Sequence, residues 1–289
     1  MHRLVLVFPL ILQAACSPVT VLNAIAPRAG VASYTDIAYG SGSAHTLDIY
    51  APAPMCENAP VVVFFFGGSW ESGDRSMYRF IGAALAKRGA VVIVPDYRLY
   101  PEVRFPGFMQ DAAAAVAWTI AHAASYGGDP DHLFLMGHSA GAQIATLLAL
   151  DTEYLSAANV DPKIVAGVIG ISGPYDFLPL TDPTLQTIFG PPEEWPLSQP
   201  INYATSRAPP MLLATGTADR TVDPANTTRL AARLRDDGVA VDERHYVGIG
   251  HAMTIGTFAS PLSVLAPARR DSLDFIAAHH PTCARPRAS

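Results

Sequence analysis

The segment VVVFFFGGSW, residues 61–70, constrains the fold most, because six consecutive apolar, strand-forming residues run directly into two glycines. A strand that is apolar at nearly every position, without alternation, is typical of a parallel sheet that helices cover on both faces. Residues 90–94 and 164–171 share this pattern. The sequence therefore predicts an α/β fold built on a buried, mostly parallel sheet.

Short apolar runs alternate with longer helical patterns along most of the chain, as in successive strand–helix–strand units. The predicted strands cover residues 46–50, 61–66, 90–94, 132–136, 164–171, 211–215 and 241–246. The predicted helices cover residues 75–87, 108–125, 140–150, 224–236 and 268–278.

The 289 residues are 50% hydrophobic and 15% charged, which is enough apolar material for one large domain. We expect a catalytic domain over residues 34–280, a linker over 16–33 and a tail over 281–289. The proline-rich segment 175–210 breaks the alternation, and it predicts either a substrate-facing cap or a surface loop without a role in binding. The net charge of −6 and the lack of a basic cluster argue against a nucleic-acid partner.

Residues 1–15 combine an early positive charge, a short apolar run and small residues before Cys16, and they predict a signal peptide. The pattern resembles a bacterial lipoprotein signal with Cys16 as the lipidated residue and possible membrane attachment, although Gln13 stands where leucine is usual. The alternative is ordinary cleavage that releases a secreted protein. Lipidation and ordinary cleavage both predict that the protein is exported. A lipidated or periplasmic form would remain in the bacterial envelope. In an oxidising compartment Cys56 and Cys283 form a disulfide or remain free thiols, and the sequence leaves both open.

The pentapeptide GHSAG places Ser139 directly after a predicted strand and before a predicted helix. This is the G-x-S-x-G pattern in the strand–turn–helix context in which a strained turn exposes a nucleophilic serine. The N-terminus of the following helix directs the backbone N–H of Ala140 at any oxyanion that forms there.

A serine nucleophile needs a base and an orienting carboxylate, which follow it along the chain in the order acid, then histidine. Asp219 follows one predicted strand, and His251 lies in a glycine-flanked loop after the last one. Asp223 is a local competitor that a helix-capping role explains. Asp176, after the preceding strand, remains an alternative acid.

These residues resemble those of the α/β-hydrolases, and within them the bacterial carboxylesterases related to the hormone-sensitive-lipase and arylformamidase groups, here called BD-FAE-like. The resemblance spans roughly residues 34–276. The motifs that carry it, in the order of that family, are FFFGGSW, VVIVPDYRLYPEVRFP, YGGDPDHLFLMGHSAG, GTADRTV and GIGHA.

The resemblance implies an α/β-hydrolase fold and an oxyanion hole formed by the N–H groups of Gly68 and Ser69 together with Ala140. Phe66 departs from it, because a histidine that orders this loop usually stands there. Trp70 and Tyr97 line the substrate pocket or belong to the core.

The stretch DYRLYPE resembles one that holds the upper rim of the sheet together in that family, which implies buried charge pairs for Asp96, Arg98 and Glu102. The predicted function is a serine carboxylesterase for small esters that acts through an acyl-enzyme. Within enzymes, the alternatives are formamide hydrolysis of the arylformamidase kind and removal of acetyl or feruloyl groups from sugars. Outside enzymes, the alternative is an inactive hydrolase fold used for binding. The chemistry needs no metal ion or organic cofactor, and no ligand cluster with zinc spacing stands out.

Overall fold

The computed structural model describes residues 18–280. The predicted signal peptide, Cys16, Cys283 and the tail 281–289 lie outside these described residues. Cys56 is disulfide-bonded. No helix among residues 18–280 is both long and apolar enough to cross a membrane.

A single sheet of eight strands forms the centre of the described chain, in the spatial order β1-β2-β4-β3-β5-β6-β7-β8. The strands are β1 Val31–Ala38, β2 Thr46–Pro52, β3 Ala59–Phe65, β4 Val91–Pro95, β5 Gly128–His138, β6 Val165–Ile171, β7 Met211–Gly216 and β8 Val241–Tyr246. Strand β2 pairs antiparallel with both β1 and β4, and the pairs from β4 to β8 are parallel. The prediction of a mostly parallel sheet is confirmed.

Helices pack on the sheet between the strands. They are α1 Pro18–Ala24, α2 Arg79–Ala86, α3 Gly107–His122, α4 Ala140–Leu150, α5 Glu153–Ala157, α6 Pro183–Ile188, α7 Ala225–Asp236, α8 His251–Gly256 and α9 Ala268–His279. Strand β3 is buried at every position between β4 and β5, which explains its continuous apolar sequence.

All seven predicted strands and all five predicted helices occur, with ends shifted by a few residues. The predicted helix over 75–87 begins with a separate 3₁₀ turn, Arg75–Tyr78, that the Asp74 side chain caps by accepting from the Ser76 N–H. The sequence did not predict β1 and the short helices α1, α5, α6 and α8. Residues 16–33, expected to be a linker, include α1 and the first residues of β1.

Two charge clusters hold the rim of the sheet, and they correct one expectation. Arg75 pairs with Asp36, Asp48 and Asp96, and its backbone N–H donates to Asp96 at 2.7 Å. In the second cluster, Arg98 donates to both carboxylate oxygens of Asp111, at 2.7–3.2 Å. Glu102, expected to be buried, is exposed. The paired charges of Asp96 and Arg98 are therefore structural, whereas Glu102 lies at the surface.

The carboxyl ends of β3, β5, β7 and β8 lie along one edge of the sheet, because these strands are parallel. The glycines at 67 and 68, Ser139, Asp219 and His251 each follow one of these strands. Strand topology thus brings all the candidate residues to the same edge, where open α/β sheets bind ligands.

Candidate active site

Ser139 occupies the turn between β5 and α4 with φ of +56° and ψ of −125°. This is a conformation that non-glycine residues rarely adopt, and it costs free energy that surrounding contacts must offset. The Ser139 N–H donates to the carbonyl of Ile171 at 2.9 Å, and its carbonyl accepts from Ala142 at 2.9 Å. The strained turn is therefore fixed from both sides.

Glycines around the turn allow backbone segments to approach closely. A Cβ at Gly137 would lie 2.1 Å from the carbonyl oxygen of Gly141, and a Cβ at Gly141 would lie 2.1 Å from that of Phe65. A Cβ at Gly67 would come within 2.9 Å of the Ser139 Cβ. Side chains at these positions would push the glycine loop away from Ser139.

The three candidate triad residues form a continuous chain of hydrogen bonds. Ser139 Oγ lies 2.9 Å from His251 Nε2, and His251 Nδ1 lies 2.8 Å from Asp219 Oδ2. The other oxygen of Asp219 accepts from the backbone N–H groups of Thr221, at 2.9 Å, and Val222, at 3.0 Å. The buried carboxylate is therefore oriented on one side by backbone and on the other by the imidazole.

The two competing acids have other partners. Asp176 Oδ2 accepts from Arg229 at 2.5 Å. Asp223 accepts from the Ala225 N–H at 3.0 Å at the start of α7, which matches the capping role expected from its sequence. The structure thus joins Asp219, and neither competitor, to His251.

The glycine loop after β3 presents bare backbone next to Ser139. Gly68, Ser69 and Trp70 have φ of +136°, +54° and +60°. Within residues 18–280, the N–H groups of Gly68, Ser69 and Ala140 donate to no other group. These three N–H groups are therefore left to donate to a group bound beside Ser139.

An aromatic stack supports this loop where the related family has a histidine. The Phe66 ring lies between Tyr97, with centroids 4.5 Å apart, and Tyr78, with centroids 5.9 Å apart. The Tyr97 hydroxyl donates to the Phe66 carbonyl at 2.6 Å. Tyr97 is only 2% exposed and is not among the residues lining the cavity beside Ser139. Its place is therefore beneath the glycine loop, in the core, which was one of the two alternatives for this residue.

Trp70 lines the cavity and is also tied to the core. Its Nε1 donates to the Gln143 side-chain oxygen at 3.2 Å, and Gln143 Nε2 donates to the Ser198 carbonyl at 2.8 Å. Its ring packs edge-on against Phe189, with centroids 4.8 Å apart. Gln143 was not predicted from the sequence, because a polar residue on a buried helix can be recognised only from its partners.

A cavity of about 360 Å³ opens beside Ser139. Ser69, Trp70 and Ala140 line one side, and segments 174–185 and 221–229 line the other. The first part of the proline-rich segment 175–210 therefore borders the cavity, as a cap would. Arg229 also lines it, and its guanidinium pairs with the Asp176 carboxylate.

His138, next to Ser139, is buried against His251. Its Nε2 lies 3.2 Å from the His251 carbonyl oxygen, to which it donates, and the two rings are 4.8 Å apart. Its Nδ1 has no hydrogen-bond partner among residues 18–280. Burial, together with the nearby His251, lowers the pKa of His138 from 6.5 to about 3. His138 is therefore a neutral ring that holds the backbone of His251.

A family model described as BD-FAE matches residues 47–234, more than half of the chain. The chain belongs to the BD-FAE family. The resemblance in the motifs is thus confirmed, and the matched range holds the glycine loop, Ser139 and Asp219. His251 lies beyond it.

Relatives of this BD-FAE family member are named as esterases and a formamidase. A probable isoprenylcysteine alpha-carbonyl methylesterase ICMEL1 of Oryza sativa subsp. japonica is 29% identical, over 74% of this chain and 56% of the relative. Esterase LipC of Mycobacterium tuberculosis is 30% identical, over 69% and 54%. A kynurenine formamidase of Danio rerio is 31% identical, over 50% and 47%. The chain spans about half the length of these curated relatives.

Solved structures share the fold of this BD-FAE protein. A truncated carbohydrate esterase from gut microbiota superposes with a TM-score of 0.75 at 24% identity, covering 86% of this chain and 96% of that one. An esterase B from Lactobacillus rhamnosis superposes with a TM-score of 0.74 at 20% identity, covering 90% and 92%. The predicted α/β-hydrolase fold is confirmed.

The Tyr97→Phe variant tests whether the Tyr97 hydroxyl holds the glycine loop. Loss of the bond to the buried Phe66 carbonyl is expected to lower the free energy of unfolding by about 1–3 kcal/mol. We also expect kcat for p-nitrophenyl acetate to fall about tenfold with KM little changed, because donors to an oxyanion act mainly in the transition state. Exposed Tyr34→Phe is the control. A higher KM at unchanged kcat would instead indicate a substrate-binding role.

Because His138 is buried in its neutral form, we predict that acid lowers the stability of the fold. The unfolded chain binds a proton on this residue below about pH 6.5, and the folded chain does so only near pH 3, so stability falls as pH decreases through this window. We measure the free energy of unfolding in urea between about pH 6 and pH 4. In His138→Gln it should fall less steeply with decreasing pH than in the wild type, by about 1.4 kcal/mol per pH unit. The exposed His122→Gln control should leave the slope unchanged, and equal slopes in all three proteins would contradict the prediction.

Proposed function

We propose that this protein is a serine carboxylesterase that hydrolyses small carboxylic esters through an acyl-enzyme. The observation that carries the proposal is the unbroken hydrogen-bond chain from Asp219 through His251 to Ser139. Two further observations support it. The N–H groups of Gly68, Ser69 and Ala140 have no acceptor within residues 18–280, and a cavity adjoins Ser139. The names of the relatives agree with this class of reaction.

In the first half-reaction, Ser139 Oγ attacks the ester carbonyl while His251 Nε2 takes its proton. Asp219, bonded to Nδ1, keeps the imidazole in the tautomer that can accept at Nε2 and stabilises the imidazolium. The N–H groups of Gly68, Ser69 and Ala140 stabilise the oxyanion. His251 then returns the proton to the leaving alkoxide, which departs as the alcohol and leaves an acylated Ser139.

The second half-reaction repeats these steps with water as the nucleophile. His251 accepts a proton from water, the hydroxide adds to the acyl carbon, and the same three N–H groups hold the new oxyanion. Collapse of the intermediate breaks the Ser139 ester, and the proton on His251 returns to the serine oxygen. The products are the carboxylic acid and the free enzyme.

The cavity supports a small substrate. Its volume of about 360 Å³ is at the lower end of the range for small-molecule sites. Aromatic side chains such as Trp70 and Phe177 on its wall favour an apolar acyl or alcohol group. We therefore expect p-nitrophenyl acetate and butyrate to be hydrolysed with a higher kcat/KM than the dodecanoate.

Substitutions in the hydrogen-bond chain test the mechanism. In Ser139→Ala, kcat should fall at least about 10⁴-fold, because no other group can form the acyl-enzyme. Asp219→Asn should lose far more activity than Asp176→Asn, since only Asp219 contacts His251. Exposed Ser125→Ala serves as the matched control. Full activity in Ser139→Ala would refute the proposal.

Two further assays separate the alternatives. A fluorophosphonate probe should label Ser139 in folded protein, and the absence of labelling would favour a binding protein with an inactive site. N-formylkynurenine and acetylated xylan, assayed beside the p-nitrophenyl esters, compare ester hydrolysis with formamide and sugar-ester hydrolysis. A kcat/KM for N-formylkynurenine above that for every ester would make formamidase the better assignment.

We also propose export with lipidation at Cys16, on the sequence of residues 1–16 alone. In a bacterial host, a labelled fatty-acid analogue should become attached to the wild-type chain and not to Cys16→Ser. Export without attachment in the wild type would favour the freely secreted form.

A further inference from the structure

Three metal-ligating side chains meet at the edge of the sheet opposite the candidate active site. Asp129 and His132 lie near the start of β5, and His280 directly follows α9. Asp129 Oδ2 lies 3.0 Å from His132 Nδ1 and 2.9 Å from His280 Nε2. All three ligand atoms lie within 4.8 Å of one another.

The donor set matches the preferences of borderline divalent metals. Two imidazole nitrogens and one carboxylate oxygen are ligands that Zn²⁺ uses in proteins, at about 2.0–2.2 Å each. Tetrahedral coordination at such lengths places ligand atoms about 3.4 Å apart. The two distances from Asp129 to the histidine nitrogens therefore need to open by only about half an ångström, and the two histidine nitrogens already lie within 4.8 Å of each other. The metal would replace the imidazole protons that now face Asp129.

The surroundings already orient two of the ligands. His280 is 5% exposed, and the Asp131 N–H donates to the second oxygen of Asp129 at 2.9 Å. The exposed His132 gives a metal ion access from solvent.

We propose that Asp129, His132 and His280 bind one divalent transition-metal ion of the Zn²⁺ type, which fastens the end of α9 to β5. Because the site lies at the amino ends of the strands, its role is to stabilise the fold, and the proposed ester hydrolysis does not use it. The sequence showed no ligand cluster with zinc spacing, and the fold brings these three side chains together. The cluster was not visible in the sequence because His280 lies 151 residues after Asp129.

Calorimetric titration with ZnCl₂ tests the proposal on the untagged full chain after removal of bound metal with a chelator. We expect one Zn²⁺ per chain and a rise in Tm of at least about 2 °C at saturating ZnCl₂, since an ion that binds only the folded state stabilises it. MgCl₂ should give neither effect, because Mg²⁺ prefers oxygen ligands.

His132→Ala is the informative variant, because His132 is exposed and its loss should leave the fold intact. We expect it to weaken Zn²⁺ binding at least about 100-fold and to abolish the shift in Tm, whereas the exposed His122→Ala control should behave like the wild type. The proposal is overturned if the wild type binds no Zn²⁺, or if His132→Ala binds it as tightly as the control.

Discussion

The close approach of three backbone segments at the ends of β3 and β5 is the constraint on which the rest of the site depends. Gly141 lets α4 begin directly against the carbonyl groups at the end of β3, and Gly137 lets the end of β5 lie against Gly141. Gly67 lets the next loop lie against Ser139. The distance between the serine hydroxyl and the loop N–H groups is thus set by backbone contacts inside the core, where atoms are closely packed. Rigidity there comes from packing that the whole sheet supplies.

Beneath that loop, aromatic packing takes the place of the histidine that is usual in the related family. A histidine would order the loop through directional hydrogen bonds, whereas here Phe66 is held between two tyrosine rings and its carbonyl accepts from Tyr97. Stacked rings and one short hydrogen bond to a buried carbonyl can fix a turn without a group that ionises near neutral pH. The loop beside Ser139 is therefore held without a second imidazole, and the imidazole next to Ser139, His138, is kept neutral by burial.

Local pattern was enough to predict the sheet and the residues at its edge. Strands β3 and β6 are apolar throughout, and Ser139, Asp219 and His251 each stand just beyond a strand, so strand order alone brought them together. What depends on distant partners was missed. Gln143 bonds to the Ser198 carbonyl, 55 positions away, and His138 bonds to the His251 carbonyl, 113 positions away. The exposed edge strand β1 lacks the apolar run that reveals a buried one.

The contact between Gln143 and Ser198 bears on how such a cavity can change during evolution. Gln143 steadies Trp70 through its oxygen, and its own amide is steadied by the carbonyl of Ser198. That acceptor is a main-chain atom, so this hydrogen bond does not depend on the side chain of residue 198. Side chains of the proline-rich segment can consequently diversify while the backbone path, and with it the glycine loop, is inherited unchanged.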